Sequence, residues 1–152
     1  MSQPGRKLRI LFLCTGNSCR SQMAEAWART LKGDAIAAAS AGVAPQGIDR
    51  RAIKAMAEVG VDISSARPKH VDEFEGQDFD IVITVCSDAD EKCPAFPGKT
   101  RIIHVGFDDP PRLASSAQDE EEALAHYRRV RDEIKAFVES LPQSIEEGLE
   151  IR

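Results

Sequence analysis

An apolar run, a glycine-containing loop and an amphipathic segment follow one another near the start of the chain, and this succession constrains the fold most strongly. The run Leu8–Leu13 predicts a buried strand, and residues 20–31 predict a helix. The loop that connects this strand to this helix has the sequence Cys-Thr-Gly-Asn-Ser-Cys-Arg-Ser, residues 14–21. A strand that ends in such a loop and leads into a helix presents converging backbone N–H groups and the positive end of the helix dipole. This arrangement predicts an oxyanion site.

The same loop carries the side chains of a nucleophilic site. The backbone amides, the helix dipole and Arg20 all favour Cys14 as the thiolate, which is the nucleophilic form. The Arg20 guanidinium can donate two parallel hydrogen bonds to a tetrahedral oxyanion. Ser21 is placed to hydrogen-bond the thiolate and to stabilise it as a leaving group. We therefore predict that Cys14 faces a phosphate-like anion bound by the loop residues Thr15, Gly16, Asn17, Ser18, Cys19 and Arg20.

Strands and helices alternate along the rest of the chain. We predict a helix capped by Asp49, a long helix over residues 119–141, and further strands at residues 36–41, 79–85 and 101–105. This alternation predicts an α/β fold with a four-stranded parallel sheet and helices on both faces. Loops at the carboxyl ends of parallel strands meet at one edge of a sheet, so we expect Cys14, Cys86 and Asp109 to converge there.

The helical periodicity also predicts which side chains are buried. Met23, Trp27 and Leu31 recur at a spacing of four and are expected to face the core. The long helix carries a second apolar stripe, made of Tyr127, Val130, Ile134, Phe137 and Leu141. Residues 143–152 are expected to form a loosely held tail.

Length and composition limit the classes of function. A chain of 152 residues is expected to form one domain, with a core over about residues 7–141. The net charge of −5 and the lack of a basic cluster argue against nucleic acid as a partner. No apolar run approaches the roughly 18 residues of a membrane span, and the first residues lack a signal-peptide core, so a cytoplasmic protein is expected. In that compartment, four cysteines are more typical of catalysis or metal binding than of structural disulfides.

Two further cysteines, Cys86 and Cys93, form a second group of thiols. Six residues between two thiols is too long for a C-x-x-C redox motif or a zinc knuckle. A short helix from Asp88 would hold the thiols too far apart for a disulfide, which needs Cα atoms roughly 5.5–6 Å apart. With Cys14, the pair makes a succession of thiol–disulfide exchanges possible.

Three motifs carry a resemblance to a known family. They are CTGNSCRSQMAE at residues 14–25, VCSDADEKCP at residues 85–94 and GFDDP at residues 106–110. In this order, over roughly residues 7–140, they resemble the thioredoxin-coupled arsenate reductases of the low-molecular-weight protein tyrosine phosphatase superfamily. The resemblance implies arsenate and thioredoxin as partners. We expect no cofactor and a monomer.

The resemblance also implies a role for each matching residue. Cys14 would attack arsenate, and Cys86 would then attack Cys14, releasing arsenite and leaving a disulfide. Cys93 would move this disulfide to the surface, where thioredoxin reduces it. Arg20 would bind the oxyanion, and Asp109 would act as the general acid that protonates the leaving hydroxide.

One position departs from the family pattern. Members of the family can hold a potassium ion beside the anion loop through an Asn, a Glu, a Ser and an Asp. Asn17, Glu25 and Ser40 match three of these positions, but Lys69 stands where the Asp is expected. We hypothesise that the Lys69 ammonium takes the place of the cation, which would make activity insensitive to potassium.

Two other functions remain open at this stage. A phosphatase for phosphotyrosine or small aryl phosphates would use Cys14, Arg20 and Asp109 unchanged. A thiol sensor would oxidise once at Cys86 and Cys93 without turnover. Cys19 is expected to be a small buried residue under the loop, with a spare thiol as the alternative. No metal site is predicted, because the three histidines, His70, His104 and His126, have no partner at ligand spacing.

Overall fold

The computed structural model describes residues 6–86 and 100–146. Cys93 lies outside these residues, and the side chain of Cys86 is likewise outside the description. The strands are β1 (Leu8–Cys14), β2 (Ile36–Gly42), β3 (Ile81–Cys86) and β4 (Arg101–Phe107). The helices are α1 (Arg20–Lys32), α2 (Arg50–Ala57), α3 (Pro110–Ala114), α4 (Glu120–Glu139) and α5 (Gln143–Glu146), with a 3₁₀ helix at Val71–Phe74.

The four strands form one parallel sheet in the order β2-β1-β3-β4, which confirms the predicted α/β class. Strand β1 lies inside the sheet, where Leu13 is in register with Ala41 of β2 and Thr84 of β3. Its side chains alternate between two buried faces, as a parallel strand covered on both sides requires. The carboxyl end of β1 therefore opens between two neighbouring strands.

Helices α1, α2 and α4 cover one face of the sheet. The apolar stripe of α4 is buried as predicted, and Trp27 of α1 is only 3% exposed. Leu31 is an exception, because 37% of it is exposed and the prediction that it faces the core is wrong. A spacing of four overshoots the helical repeat by about 40° per step, so Leu31 has rotated off the stripe that Met23 begins.

The opposite face is covered by residues 71–79, for which no helix was predicted. Val71 and Phe74 of the 3₁₀ helix pack with Phe79 over the second face of β1 and β3, and the rings of Phe74 and Phe79 meet edge to face at 5.6 Å.

Among the described residues, no helix is long and apolar enough to cross a membrane.

The segment after α4 is more ordered than predicted. Residues 143–146 form α5, in which Ile145 is 1% exposed, and Arg101 donates a hydrogen bond to the Ile145 carbonyl at 3.2 Å. The expectation of a loosely held tail is therefore wrong for these residues. The apolar side chain of Ile145 gains more from burial in the core than the chain end loses in freedom.

Candidate active site

The loop that follows β1, residues 14–21, is fixed from outside by the segment that follows β2. The carbonyl oxygens of Thr15, Gly16 and Ser18 accept hydrogen bonds from the backbone amides of residues 44, 46 and 49, at 2.8, 2.9 and 3.0 Å. In a trans peptide the N–H points away from the carbonyl of the same peptide unit. With these three carbonyls held by residues 44–49, the following amides are turned to the opposite side of the loop.

The Cys14 sulfur receives two short contacts inside this loop. The Asn17 backbone N–H donates to it at 3.1 Å, and the Ser21 hydroxyl lies 2.8 Å away. The Asn17 side-chain amide donates to the same hydroxyl at 2.7 Å, which directs the hydroxyl proton towards the sulfur. Hydrogen bonds to the charged form of a group stabilise that form, so both contacts favour the Cys14 thiolate. The structure thus places Ser21 where the sequence predicted it.

Asn17 holds the unusual backbone conformation that makes this arrangement possible. Its φ is 50°, in the left-handed region that Asn tolerates better than most residues. Gln22 donates to its backbone and side-chain oxygens at 3.1 and 3.0 Å, and the Lys69 backbone N–H donates to its side-chain oxygen at 2.8 Å. The sequence reasoning did not assign this role to Gln22, whose partners include the Arg67 carbonyl 45 residues away.

Arg20 joins the loop to the end of β4. Its guanidinium is buried, donates to the Phe107 carbonyl at 2.9 Å, and lies 3.5 Å from a carboxylate oxygen of Asp109. Asp109 precedes α3, yet its side chain caps no amide of that helix, and 36% of the side chain is exposed. Its neighbour Asp108 points instead to Arg129, at 3.0 Å. The structure therefore brings Asp109 to Arg20, in the loop that follows Cys14, and it directs Asp108 elsewhere, so it distinguishes the two aspartates as the motif did.

Cys86 ends β3, the strand next to β1. Its backbone is in register with Phe107 of β4, two residues before Asp109, after a register shift that begins at Thr84. The backbones of Cys14, Cys86 and Asp109 thus lie at the carboxyl edge of three adjacent parallel strands, as predicted. The position of Cys93 lies outside the described residues.

Cys19, the second thiol of the loop, is only 4% exposed. Burial raises its pKa well above the usual range, and the nearby charge of Asp49 raises it further. Arg20 opposes this effect, while Cys14 and Asp109 add to it. Cys19 is therefore a protonated thiol beneath the loop, in agreement with the prediction of a small buried residue.

The loop, its thiol and its arginine match a known family. The family of low molecular weight phosphotyrosine protein phosphatases matches residues 9–150 of the chain. The chain belongs to this family.

Named relatives within the family are arsenate reductases. The chain is 47% identical to an arsenate reductase of Bacillus subtilis strain 168 over 135 residues, which are 86% of this chain and 95% of the relative. A solved structure of an arsenate reductase in the phosphate-binding state superimposes with a TM-score of 0.71 at 32% identity, covering 91% of this chain and 98% of the other. A thioredoxin-dependent arsenate reductase of Corynebacterium glutamicum gives a TM-score of 0.65 at 26% identity, covering 93% of this chain and 63% of the other.

The residues predicted to match the family's potassium site lie close together: Ser40 and Lys69 both approach Glu25, and the Lys69 backbone contacts Asn17. The Ser40 hydroxyl donates to one carboxylate oxygen of Glu25 at 2.5 Å, and Arg29 pairs with the other at 2.7 Å. The Lys69 ammonium donates to the Arg67 carbonyl at 2.9 Å and lies 3.9 Å from Glu25. Burial lowers the pKa of Lys69, and Glu25 partly offsets this effect. The Lys69 ammonium thus lies beside Glu25, one of the three matched positions, and the Lys69 backbone contacts Asn17, a second one.

A polar groove of about 590 Å³ lies between α1 and residues 60–69, and it opens onto the same residues. Its lining includes Gln22, Glu25 and Lys69 but none of Cys14, Arg20 or Asp109. The groove is therefore lined by other residues than the predicted nucleophile, arginine and general acid. Within residues 6–86 and 100–146, no three His, Cys, Asp or Glu side chains are grouped to hold a metal ion.

Proposed function

We propose that this chain reduces arsenate to arsenite and thereby serves arsenic detoxification. The observation that carries the proposal is the Cys14 sulfur, which receives hydrogen bonds from Asn17 and Ser21 in a loop completed by the buried Arg20. This is a nucleophile inside a cradle for a tetrahedral oxyanion. The arsenate reductases that share 47% and 32% of its sequence over most of their length support arsenate as that oxyanion.

In the first step the loop amides and Arg20 bind the arsenate oxygens, and the Cys14 thiolate attacks arsenic. An S–As bond forms and an As–O bond breaks, so a hydroxide must leave. Asp109, in its protonated form, donates a proton to this group, which departs as water. Two observations support this role: the Asp109 carboxylate lies 3.5 Å from Arg20, and it caps no amide of α3.

In the second step the Cys86 thiolate attacks the Cys14 sulfur. A disulfide forms, and the electron pair of the broken S–As bond stays on arsenic, which is thereby reduced from As(V) to As(III) and leaves as arsenite. Cys93 then attacks Cys86 and releases the Cys14 thiolate. A dithiol protein of the thioredoxin class finally reduces the Cys86–Cys93 disulfide. The adjacency of β1 and β3 and the thioredoxin-dependent structural neighbour support this sequence.

A single-turnover experiment tests the relay. Reduced Cys93→Ser and Cys86→Ser variants are each mixed with excess arsenate without any thiol donor, and the arsenite and the disulfides formed are quantified. We expect one arsenite per enzyme and a Cys14–Cys86 disulfide from Cys93→Ser, and no arsenite from Cys86→Ser. Absence of arsenite from both variants, with aryl phosphate hydrolysed normally, would instead support the phosphatase function. A thiol sensor would give no arsenite from either variant, and the wild type would form a Cys86–Cys93 disulfide only when an oxidant such as hydrogen peroxide is added.

We also propose that Lys69 replaces the family's cation. Its ammonium lies beside Glu25, and its backbone N–H donates to the side-chain oxygen of Asn17. Lys69 therefore supplies a fixed positive charge and a hydrogen bond to the residue that holds the loop in its left-handed turn. This arrangement provides permanently what a bound cation provides only when it is present.

A further inference from the structure

Asp49 contacts three parts of the molecule at once. Its backbone N–H donates to the Ser18 carbonyl of the loop at 3.0 Å. One carboxylate oxygen accepts from the first amides of α2, with Arg51 N at 2.9 Å, and the other accepts from the hydroxyl of Tyr127 at 2.6 Å. We propose that Asp49 is a positioning residue for the oxyanion loop, which it ties at Ser18 to the start of α2 and to α4.

Capping alone does not account for these contacts. A helix N-cap needs one side-chain oxygen, and Asp119 caps α4 in this way through Glu122 N at 2.8 Å. Asp49 uses its second oxygen for Tyr127, which is 1% exposed and belongs to the longest helix of the described chain. Burial, the hydrogen bond and the charge of Asp49 all raise the pKa of Tyr127. The phenol therefore remains a donor at physiological pH.

The position of Asp49 determines the direction of a loop amide. The Ser18 carbonyl and the Cys19 N–H belong to one peptide unit, so a carbonyl held towards Asp49 turns the N–H to the opposite side. The Gly16 carbonyl is held in the same way by the Gln46 N–H, and the N–H of that peptide unit, which belongs to Asn17, reaches the Cys14 sulfur at 3.1 Å. Asp49 acts through Ser18 and does not itself touch the bound anion.

The carboxylate also distinguishes the two thiols of the loop. Burial raises the pKa of Cys19 most, and the charge of Asp49 raises it further. The charges of Cys14 and Asp109 also raise this pKa, whereas the charge of Arg20 lowers it. Cys14 receives the Asn17 N–H and the Ser21 hydroxyl. Asp49 thus helps burial to keep Cys19 protonated, while the contacts of Asn17 and Ser21 stabilise the thiolate at Cys14.

The test compares two N-cap residues that differ in their contact with the loop. Asp49→Ala and Asp119→Ala each remove a helix cap, so both lose the stabilisation that a cap provides. Calorimetry then gives the dissociation constant of the reduced protein for inorganic phosphate. We expect Asp49→Ala to weaken phosphate binding about tenfold or more and Asp119→Ala to change it less than twofold. Tyr127→Phe should weaken it by about threefold, and adding this change to Asp49→Ala should have no further effect.

Thiol labelling provides a second readout that a purely structural role would not change. Asp49→Asn keeps an oxygen for the helix cap but removes the charge. With this variant the proposed role of Asp49 can be tested even if Asp49→Ala does not fold. Iodoacetamide labelling between pH 7 and 9, followed by peptide mapping, should modify Cys14 almost exclusively in the wild type. In Asp49→Asn the share on Cys19 should rise several-fold, while Asp119→Asn should match the wild type.

The inference rests on the proposed function of the loop, but the two can fail separately. If wild-type protein does not bind phosphate, the proposed oxyanion site is wrong. If the wild type binds phosphate and the Asp49 variants bind it within twofold, with unchanged labelling of Cys19, the positioning role is overturned and the oxyanion site stands.

Discussion

Gly42 offers a direct test of how closely β2 packs against the oxyanion loop. It lies opposite Cys14 in the sheet register, and a Cβ at this position would meet three backbone atoms: Thr15 O at 2.5 Å, Asn17 N at 2.9 Å and Cys14 O at 3.1 Å. In Gly42→Ala the Thr15 carbonyl must therefore move by about 0.5 Å to reach even a tight contact of 3.0 Å. Because all three atoms belong to the backbone, no flexible side chain can absorb the shift.

Overpacking of this kind costs about 1–3 kcal/mol of unfolding free energy. For a chain of this size each kcal/mol lowers the melting temperature by about 2–4 °C. The displaced atoms hold the nucleophile, and a misplacement of about 1 Å can reduce a rate about a hundredfold, so we expect kcat/KM for arsenate to fall about tenfold or more. Denaturant unfolding and steady-state kinetics measure the two effects.

Gly47→Ala is the matched control. Nothing lies within 4 Å of a Cβ at Gly47, and its backbone is outside the left-handed region. The control should unfold within about 1 kcal/mol of the wild type, with a small gain expected from the less flexible unfolded chain. If Gly42→Ala matched the control in stability and in kcat/KM, the close contact between β2 and the loop would be refuted.

Three further predictions concern the thiols and the cation. Ser21→Ala removes a hydrogen bond to the Cys14 thiolate, and a hydrogen bond to a charged group is worth about 1.5–3 kcal/mol. Iodoacetamide should therefore label Cys14 about 10- to 100-fold more slowly at pH 7. An unchanged rate would contradict the assigned contact. Arsenate turnover should be equal in KCl and NaCl at the same ionic strength because Lys69 supplies the charge, and clear stimulation by potassium would disprove this. Folding raises the pKa of Cys19, so the unfolded chain loses this proton at a lower pH than the folded chain does. The free energy of unfolding should therefore fall as the pH rises above about 9, and it should fall less steeply in Cys19→Ala. Identical slopes in the two proteins would contradict the assignment.

The sequence predicted the parts of the site that are local in the chain. Cys14, Arg20 and Ser21 lie within eight residues on a strand, a loop and a helix, and their relation follows from backbone geometry alone. Asp109 was placed by the parallel order of the strands, since the carboxyl ends of β1, β3 and β4 share one edge. The roles of Cys86 and Cys93 in a relay stay predictions.

The supporting contacts could not be predicted because they join distant segments. Asp49 and Tyr127 are 78 residues apart, and Gln22 reaches the carbonyl of Arg67 across 45 residues. No local pattern encodes such pairs, which depend on how α2, α4 and residues 60–69 pack around α1. The buried Ile145 was missed for the same reason, since only the finished core shows where its side chain packs.

The most direct test of the proposed function is NADPH oxidation driven by arsenate in the presence of thioredoxin and thioredoxin reductase. The wild type should sustain turnover over many equivalents of arsenate, and Cys93→Ser should lose it, because the disulfide no longer reaches thioredoxin. If arsenate causes no NADPH oxidation with the wild type, while both proteins hydrolyse an aryl phosphate at the same rate, then Cys14 and Arg20 serve a phosphatase and the proposed reduction is wrong.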